Sequence, residues 1–164
     1  MNTILLHDSV PHFIAIATNT QSLQLQDYVG KNVLLYFYPK DNTSGCTQQA
    51  QDFRDYNAQF NALNTIILGV SRDSLRSHQN FKAKQALPFD LISDGDESLC
   101  QLFDVMKLKN MYGKQVRGIE RSTFLINDKG VLIHEWRKVK VPNHCLAVLD
   151  FLKAMSVSNN TQKA

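Results

Sequence analysis

One cysteine stands where a reactive thiol is expected, after a polar loop and at the start of a predicted helix. Pro39, Thr43 and Cys46 form a Pro-x-x-x-Thr-x-x-Cys pattern directly after an apolar run. A helix N-terminus favours the nucleophilic thiolate through its partial positive charge and its free backbone N–H groups. The N–H groups of Gly45 and Cys46 can hold a substrate oxygen, the Thr43 hydroxyl can donate or accept, and Pro39 can exclude water.

The cysteine content favours a free thiol over a disulfide framework or a zinc site. Cys46, Cys100 and Cys145 are widely spaced and odd in number, so at least one is unpaired in a monomer. A buried structural thiol is the alternative for Cys46, but the polar loop before it predicts an accessible sulfur. Cys145 shares a helical stripe with Leu149 and Leu152, which predicts that it faces the core.

The elements that must position Cys46 alternate between strands and helices. The run at 32–38 reads as a buried strand, the helix after it carries Cys46, and a second buried strand covers 65–71. This alternation predicts an α/β fold with parallel crossovers. A glycine-containing turn between 122–126 and 131–136 predicts an antiparallel hairpin. A mixed sheet with helices on both faces follows.

The remaining segments complete one predicted domain over residues 1–155. Short strands are predicted at 13–16, 23–25 and 89–92, and helices at about 74–86, at 94–102 with Cys100, and after Asn143. The basic segment 107–118 is predicted to be a loop. Residues 156–164 are predicted to form a flexible tail.

The segment YFYPKDNTSGCT at 36–47, continued by DFRD at 52–55, resembles the peroxidatic segment of the peroxiredoxins. The similarity is greatest to the bacterioferritin comigratory protein subfamily, also called peroxiredoxin Q. It extends over nearly the whole chain, through residues 10–13, 69–74, 77–78, 87–94 and 118–126. The resemblance implies a thioredoxin-like fold and a thiol peroxidase that reduces hydrogen peroxide and organic hydroperoxides.

The same resemblance assigns roles to individual residues. It makes Cys46 the peroxidatic nucleophile, Thr43 the hydroxyl that orients the peroxide, Pro39 the shield and Arg121 the active-site arginine. A permanently charged guanidinium favours a nearby thiolate and stabilises charge that moves onto the peroxide oxygens. The attacked sulfur becomes a sulfenic acid, which a second thiol must reduce.

The resemblance fails where many members of the subfamily carry a resolving cysteine. Gln51 and Lys82 occupy the two usual positions. A one-cysteine cycle with an external thiol is therefore predicted, with thioredoxin, glutaredoxin or glutathione as the reductant. The alternative is an unusual resolving cysteine, Cys100 or less readily Cys145, and either one needs local unwinding of the Cys46 helix.

Composition and the absent motifs limit the other functions. The 164 residues carry a net charge of +3 and no apolar run that could span a membrane, so neither nucleic acid nor membrane is predicted as a partner. No metal or nucleotide cofactor is predicted. The absence of a signal-peptide pattern and the free thiols predict a cytoplasmic protein, and the resemblance implies a monomer or weak homodimer. Acyl transfer by a Cys–His pair and a non-enzymatic holdase are the competing hypotheses.

Overall fold

A seven-stranded mixed sheet forms the centre of the computed structural model, which describes residues 3–163 apart from the side chains of 20, 21 and 159–163. Its strands are β1 (Ile14–Ala17), β2 (Thr20–Gln24), β3 (Asn32–Phe37), β4 (Thr65–Ser71), β5 (Asp90–Ser93), β8 (Ser122–Ile126) and β9 (Leu132–Trp136). The strand order is β2-β1-β5-β4-β3-β8-β9, with β3 parallel to β4 and β4 parallel to β5. The other neighbours in the sheet are antiparallel, which confirms the predicted mixed sheet.

Helices cover both faces of the sheet, as the sequence predicts. One face packs against α1 (Ser44–Ala62), α2 (Leu75–Gln85) and α4 (His144–Lys163), and the other against α3 (Ser98–Leu102) and a 3-10 helix (Leu25–Tyr28). Every residue of β3 is buried, because this strand lies between β4 and β8 with core on both sides. Side chains alternate along β3, so Leu34 and Tyr36 face one core while Leu35 and Phe37 face the other.

The prediction of a loop at 107–118 is wrong. These residues form a separate hairpin of β6 (Met106–Met111) and β7 (Lys114–Ile119). Tyr112 and Gly113 both have positive φ, 53° and 79°, as a tight two-residue hairpin turn requires. Most of the hairpin's side chains are exposed, so the alternating burial that reveals a strand in a sequence is missing here.

The predicted hairpin near Gly130 is confirmed. β8 and β9 pair antiparallel, and the Asn127 side chain accepts hydrogen bonds from the backbone of Lys129 and Val131 in the turn between them. Helix α4 continues to Lys163, past the predicted boundary at 155. No proline or glycine between 156 and 163 interrupts it. The division into a domain and a tail stays a prediction.

Of the helices described, none is both long and apolar enough to cross a membrane.

Candidate active site

Cys46 is the third residue of α1, at the end where β3 delivers the chain to the helix. Thr43 precedes α1 in an extended conformation, and its carbonyl accepts the hydrogen bond from Thr47 N. Neither a capping side chain nor an acidic residue occupies the first turn of α1. This helix end therefore keeps the positive potential that a thiolate needs.

The sulfur is less accessible than the sequence predicts. Cys46 is only 2% exposed and belongs to the core between the sheet and helices α1, α2 and α4. The prediction of an accessible thiol is wrong because the polar loop covers only one side of the residue. The core that encloses it also contains apolar side chains from distant parts of the chain, Leu125 and Val148 among them.

Arg121 lies against Cys46, although 75 positions separate them in the chain. Its Nη2 donates to Cys46 Sγ over 3.4 Å, and its Nη1 donates to Gln49 Oε1 over 2.6 Å. The sheet register explains this contact, because Ser122 pairs with Phe37 and so places Arg121 beside the end of β3. A Cβ atom built on Gly45 would lie 3.3 Å from Nη2, so glycine lets the guanidinium pass close to the helix.

Gln49 is a site residue that the sequence analysis missed. It lies one turn after Cys46 on α1 and is 1% exposed. Its Oε1 accepts from Arg121, while its Nε2 has no hydrogen-bond partner among the described residues. The spacing of three residues from Cys46, which puts both side chains on one helix face, could have identified it.

Tyr36 is a second buried donor near the sulfur. Its hydroxyl also lacks a partner in the described part of the chain. Burial, followed by the proximity of Cys46, raises the pKa of Tyr36 well above its usual range, so the phenol stays protonated. Gly69 pairs with Tyr36 across the sheet, and a Cβ there would lie 2.9 Å from the Tyr36 ring. Only a glycine therefore allows this ring to lie over β4.

Thr43 and Pro39 lie in the loop that joins β3 to α1. The Thr43 hydroxyl is exposed and donates to the carbonyl of Lys40 over 2.7 Å. Its hydrogen is therefore already engaged, and its lone pairs are what it can offer to a substrate. Pro39 is half-buried at the start of the loop.

Cys100 and Cys145 have surroundings that oppose ionisation. Burial, followed by Asp94, raises the pKa of Cys100 above its usual range, and Cys100 lies in the core on the sheet face opposite Cys46. The Cys145 thiol donates to the carbonyl of Asp52, which confirms that Cys145 faces the core. Burial, followed by Asp52 and Asp55, raises its pKa to about 12. All three cysteines are unpaired.

Several known proteins are similar to this chain in sequence and in fold. Residues 6–135 match the AhpC/TSA family. Peroxiredoxin Bcp of Xanthomonas campestris is 53% identical over 141 residues, 86% of this chain and 88% of that protein. Peroxiredoxin Bcp of Bacillus subtilis is 49% identical over 154 residues, 94% of this chain and 98% of that protein. A solved structure of the X. campestris bacterioferritin comigratory protein aligns with TM-score 0.83 and 50% identity, over 87% of this chain and 91% of that one.

The family match and the geometry indicate the same chemistry. The match spans most of the chain, including the loop, the helix start and the strand that bring Cys46 and Arg121 together. Relatives aligned over nearly their whole length are peroxiredoxins, which use a thiol to reduce a peroxide. The sequence-based assignment is confirmed: the chain belongs to the AhpC/TSA family, with Bcp and PrxQ peroxiredoxins as its relatives, and it is a thiol-dependent peroxidase.

Proposed function

We propose that Cys46 is the peroxidatic residue of a one-cysteine cycle. The observation that carries this proposal is the 3.4 Å contact between Arg121 Nη2 and Cys46 Sγ, because a fixed cation beside a thiol favours the thiolate. The thiolate attacks the terminal oxygen of a hydroperoxide, and the O–O bond breaks. Cys46 keeps that oxygen with its hydrogen as a sulfenic acid, and the leaving alkoxide or hydroxide takes a proton and departs as alcohol or water.

The neighbouring groups have distinct roles in this step. Arg121 stabilises the negative charge that develops on the leaving oxygen, and the backbone N–H of Gly45 donates to the peroxide. Thr43 Oγ1 accepts a hydrogen bond from the peroxide, since its own hydrogen points to Lys40. Pro39, which has no N–H, excludes water from the sulfur.

An external thiol completes the cycle. Two thiol equivalents reduce the sulfenic acid to the thiol, releasing water and leaving the reductant as a disulfide. Thioredoxin, glutaredoxin and glutathione are the candidate reductants. Because Cys46 is 2% exposed, the first turn of α1 must open before a reductant sulfur reaches it.

The other cysteines are weaker candidates for resolving the sulfenic acid. A disulfide requires Cα atoms within about 7 Å. Cys100 lies across the sheet from Cys46, which argues against its role in an atypical two-cysteine cycle. Cys145 shares the core of Cys46, but its thiol is bonded to the Asp52 carbonyl and its pKa is raised to about 12.

The substrates are hydrogen peroxide and organic hydroperoxides. The structure of the X. campestris relative concerns its alkyl peroxide reduction activity, and its similarity to this chain supports the organic substrates. We infer a cytoplasmic location, where thiol reductants are available, and a monomer or weak homodimer that needs no metal, nucleotide or nucleic acid.

Mass spectrometry after one equivalent of hydrogen peroxide tests this cycle. We expect one added oxygen on Cys46 and full recovery of the thiol after glutathione or reduced thioredoxin is added. Cys46→Ser should lose essentially all peroxide turnover, whereas Cys100→Ser, the matched control, should keep it within about twofold. A disulfide between Cys46 and Cys100 or Cys145 would overturn the one-cysteine cycle. Substantial turnover by Cys46→Ser would overturn the role of Cys46.

A further inference from the structure

A buried polar network lies behind the loop that carries Pro39 and Thr43. At its centre is Asp41, whose side chain is 1% exposed, next to His78, whose side chain is fully buried. Asp41 Oδ1 accepts from the Tyr38 hydroxyl over 2.6 Å. Asp41 Oδ2 accepts from the Ser77 hydroxyl over 2.9 Å and lies 2.7 Å from His78 Nδ1. The loop itself is held by Asp41 N, which donates to Asp73 Oδ2 over 2.9 Å.

These contacts fix the orientation of the His78 ring. His78 Nε2 lies 2.9 Å from the carbonyl oxygen of Ile92, which can only accept, so Nε2 must hold a hydrogen. The hydroxyls of Tyr38 and Ser77 donate to the Asp41 carboxylate, and such donors favour its ionised form. Burial opposes that ionisation, but the bonds from His78 and Tyr38 prevail and hold the pKa of Asp41 below its usual range. The 2.7 Å contact between His78 Nδ1 and Asp41 Oδ2 therefore ties the loop through the imidazole to the backbone of β5.

A metal ion is the other species that such a cluster can hold. Ligand atoms of Asp41, Asp73 and His78 lie within 4.8 Å of one another. However, both oxygens of Asp41 and Oδ2 of Asp73 already accept hydrogen bonds from hydroxyl and backbone donors of the protein. The protein's own donors therefore satisfy these oxygens.

The network joins the active-site loop to four elements of the fold. Tyr38 comes from the end of β3, Ser71 from the end of β4, Ser77 and His78 from α2, and the Ile92 carbonyl from β5. Asp41 lies two residues before Thr43 and five before Cys46. A shift of Asp41 would carry with it the Thr43 hydroxyl and the start of α1.

We propose that the buried, hydrogen-bonded His78–Asp41 pair is a positioning device that holds the loop from Pro39 to Thr43 in the conformation that reduces peroxide. Neither side chain touches the peroxide, and both act through the placement of Thr43 and the first turn of α1. This inference rests on Cys46 as the reacting thiol. Breaking the pair leaves buried polar atoms without their hydrogen-bond partners, which the loop relieves by moving.

Two reactions of the same sulfur separate positioning from a general structural effect. The variants are Asp41→Asn and His78→Gln, with Asp90→Asn as the control, because Asp90 pairs with Lys82 outside the loop. In both variants we expect oxidation of Cys46 by hydrogen peroxide to slow at least about tenfold, while alkylation of Cys46 by iodoacetamide is not slowed. Asp90→Asn should change neither reaction by more than about twofold.

Two outcomes would overturn the positioning role. The first is a peroxide rate within twofold of the unmodified protein in both variants. The second is an equal fall in both reactions, which would indicate loss of the thiolate or of the fold. Oxidation of a cysteine other than Cys46 would instead overturn the proposed function.

Discussion

Cys46 and Cys100 occupy the same position in two different helices. Each is the third residue of its helix, each follows a serine by two positions, and each is at most 2% exposed. Neither helix has an acidic residue in its first turn, but at α1 a guanidinium lies on the sulfur. At α3 two carboxylates that precede the helix accept the hydrogen bonds of the first three amides, from Ser98 N to Asp96 and from Leu99 N and Cys100 N to Asp94.

The difference shows what a helix N-terminus contributes to a thiol. The first three backbone N–H groups of α3 are satisfied by Asp96 and Asp94, and burial, followed by Asp94, raises the pKa of Cys100. The N-terminal turn of α1 faces a cation instead. A helix N-terminus therefore favours a thiolate only where its donors are free and the nearest side-chain charge is positive.

Removing Arg121 should make the largest change, because it abolishes the main difference between the two sites. Arg121→Gln keeps a donor but loses the charge, and we expect the rate constant for Cys46 oxidation by peroxide to fall by about 10²-fold or more. The rate constant of Arg121→Lys should lie between those of the unmodified protein and Arg121→Gln. A lysine keeps the positive charge, but its ammonium cannot bond Cys46 and Gln49 together as a fork. Stopped-flow measurement with limiting peroxide gives these rates.

Arg72 provides the matched control for that measurement. It forms an ion pair with Glu97 on the Cys100 side of the molecule. Arg72→Gln should leave peroxide oxidation of Cys46 within about twofold of the unmodified protein. A similar loss in Arg72→Gln and Arg121→Gln would mean that total charge, and not the contact with Cys46, sets the rate.

The sequence predicts one side of this site better than the other. Thr43, Gly45 and Cys46 lie in one short segment, so local rules for strand, loop and helix start are enough to place them together. Arg121 reaches Cys46 only through the pairing of β8 with β3, and the family resemblance, not its spacing, indicated it. The burial of Cys46 is missed for the same reason, since its core also contains Leu125 and Val148, which lie far from it in the chain.

The sequence does not predict the hydrogen bonds from the α3 amides to Asp94. Asp94 precedes Cys100 by six residues, and no simple helix pattern predicts that one carboxylate will accept from two successive amides there. The prediction of a loop at 107–118 is wrong because the sequence again lacks a recognisable pattern. Exposed strands β6 and β7 bury too little apolar surface to show a period of two residues.

Asp94→Asn should have an intermediate effect, on Cys100 alone. The substitution removes the carboxylate, so the pKa of Cys100 should fall toward the usual value of a thiol while burial, its first cause, keeps it raised. Thiolate absorbance measured against pH in a Cys46→Ser, Cys145→Ser background isolates this thiol. We also expect a loss of about 1–3 kcal/mol in the free energy of unfolding, because asparagine keeps one acceptor oxygen and one of the two α3 amides loses its partner.

Asp104→Asn is the control for this effect. Asp104 is exposed and pairs with Lys107, away from the helix N-terminus. Asp104→Asn should leave the titration of Cys100 unchanged. It should change the free energy of unfolding by no more than about 0.5 kcal/mol. An unchanged titration in Asp94→Asn would mean that burial alone keeps Cys100 protonated, and the contrast with Cys46 would then rest on Arg121 only.

His144 reports the electrostatic field at the Cys46 side, and the part of its pKa shift that Arg121 causes should be the smallest of these effects. Its Nε2 lies 2.8 Å from the Thr123 hydroxyl, and burial, followed by Arg121, lowers its pKa from 6.5 to about 4. A histidine with a lower pKa in the folded chain binds its proton preferentially in the unfolded chain. Stability is therefore complete above pH 6.5 and falls as the pH drops toward 4, by up to about 3 kcal/mol for this one group.

Arg121→Gln tests whether this field is shared with Cys46. Losing the guanidinium should raise the pKa of His144 only part of the way to 6.5, because burial is the larger cause and remains. NMR titration of the His144 ring, compared with that of the more exposed His134, measures the shift. An unchanged pKa of His144 in Arg121→Gln would mean that Arg121 acts only on the sulfur that it contacts. The expected rise of this pKa would show that one cation acts on both a thiol and an imidazole.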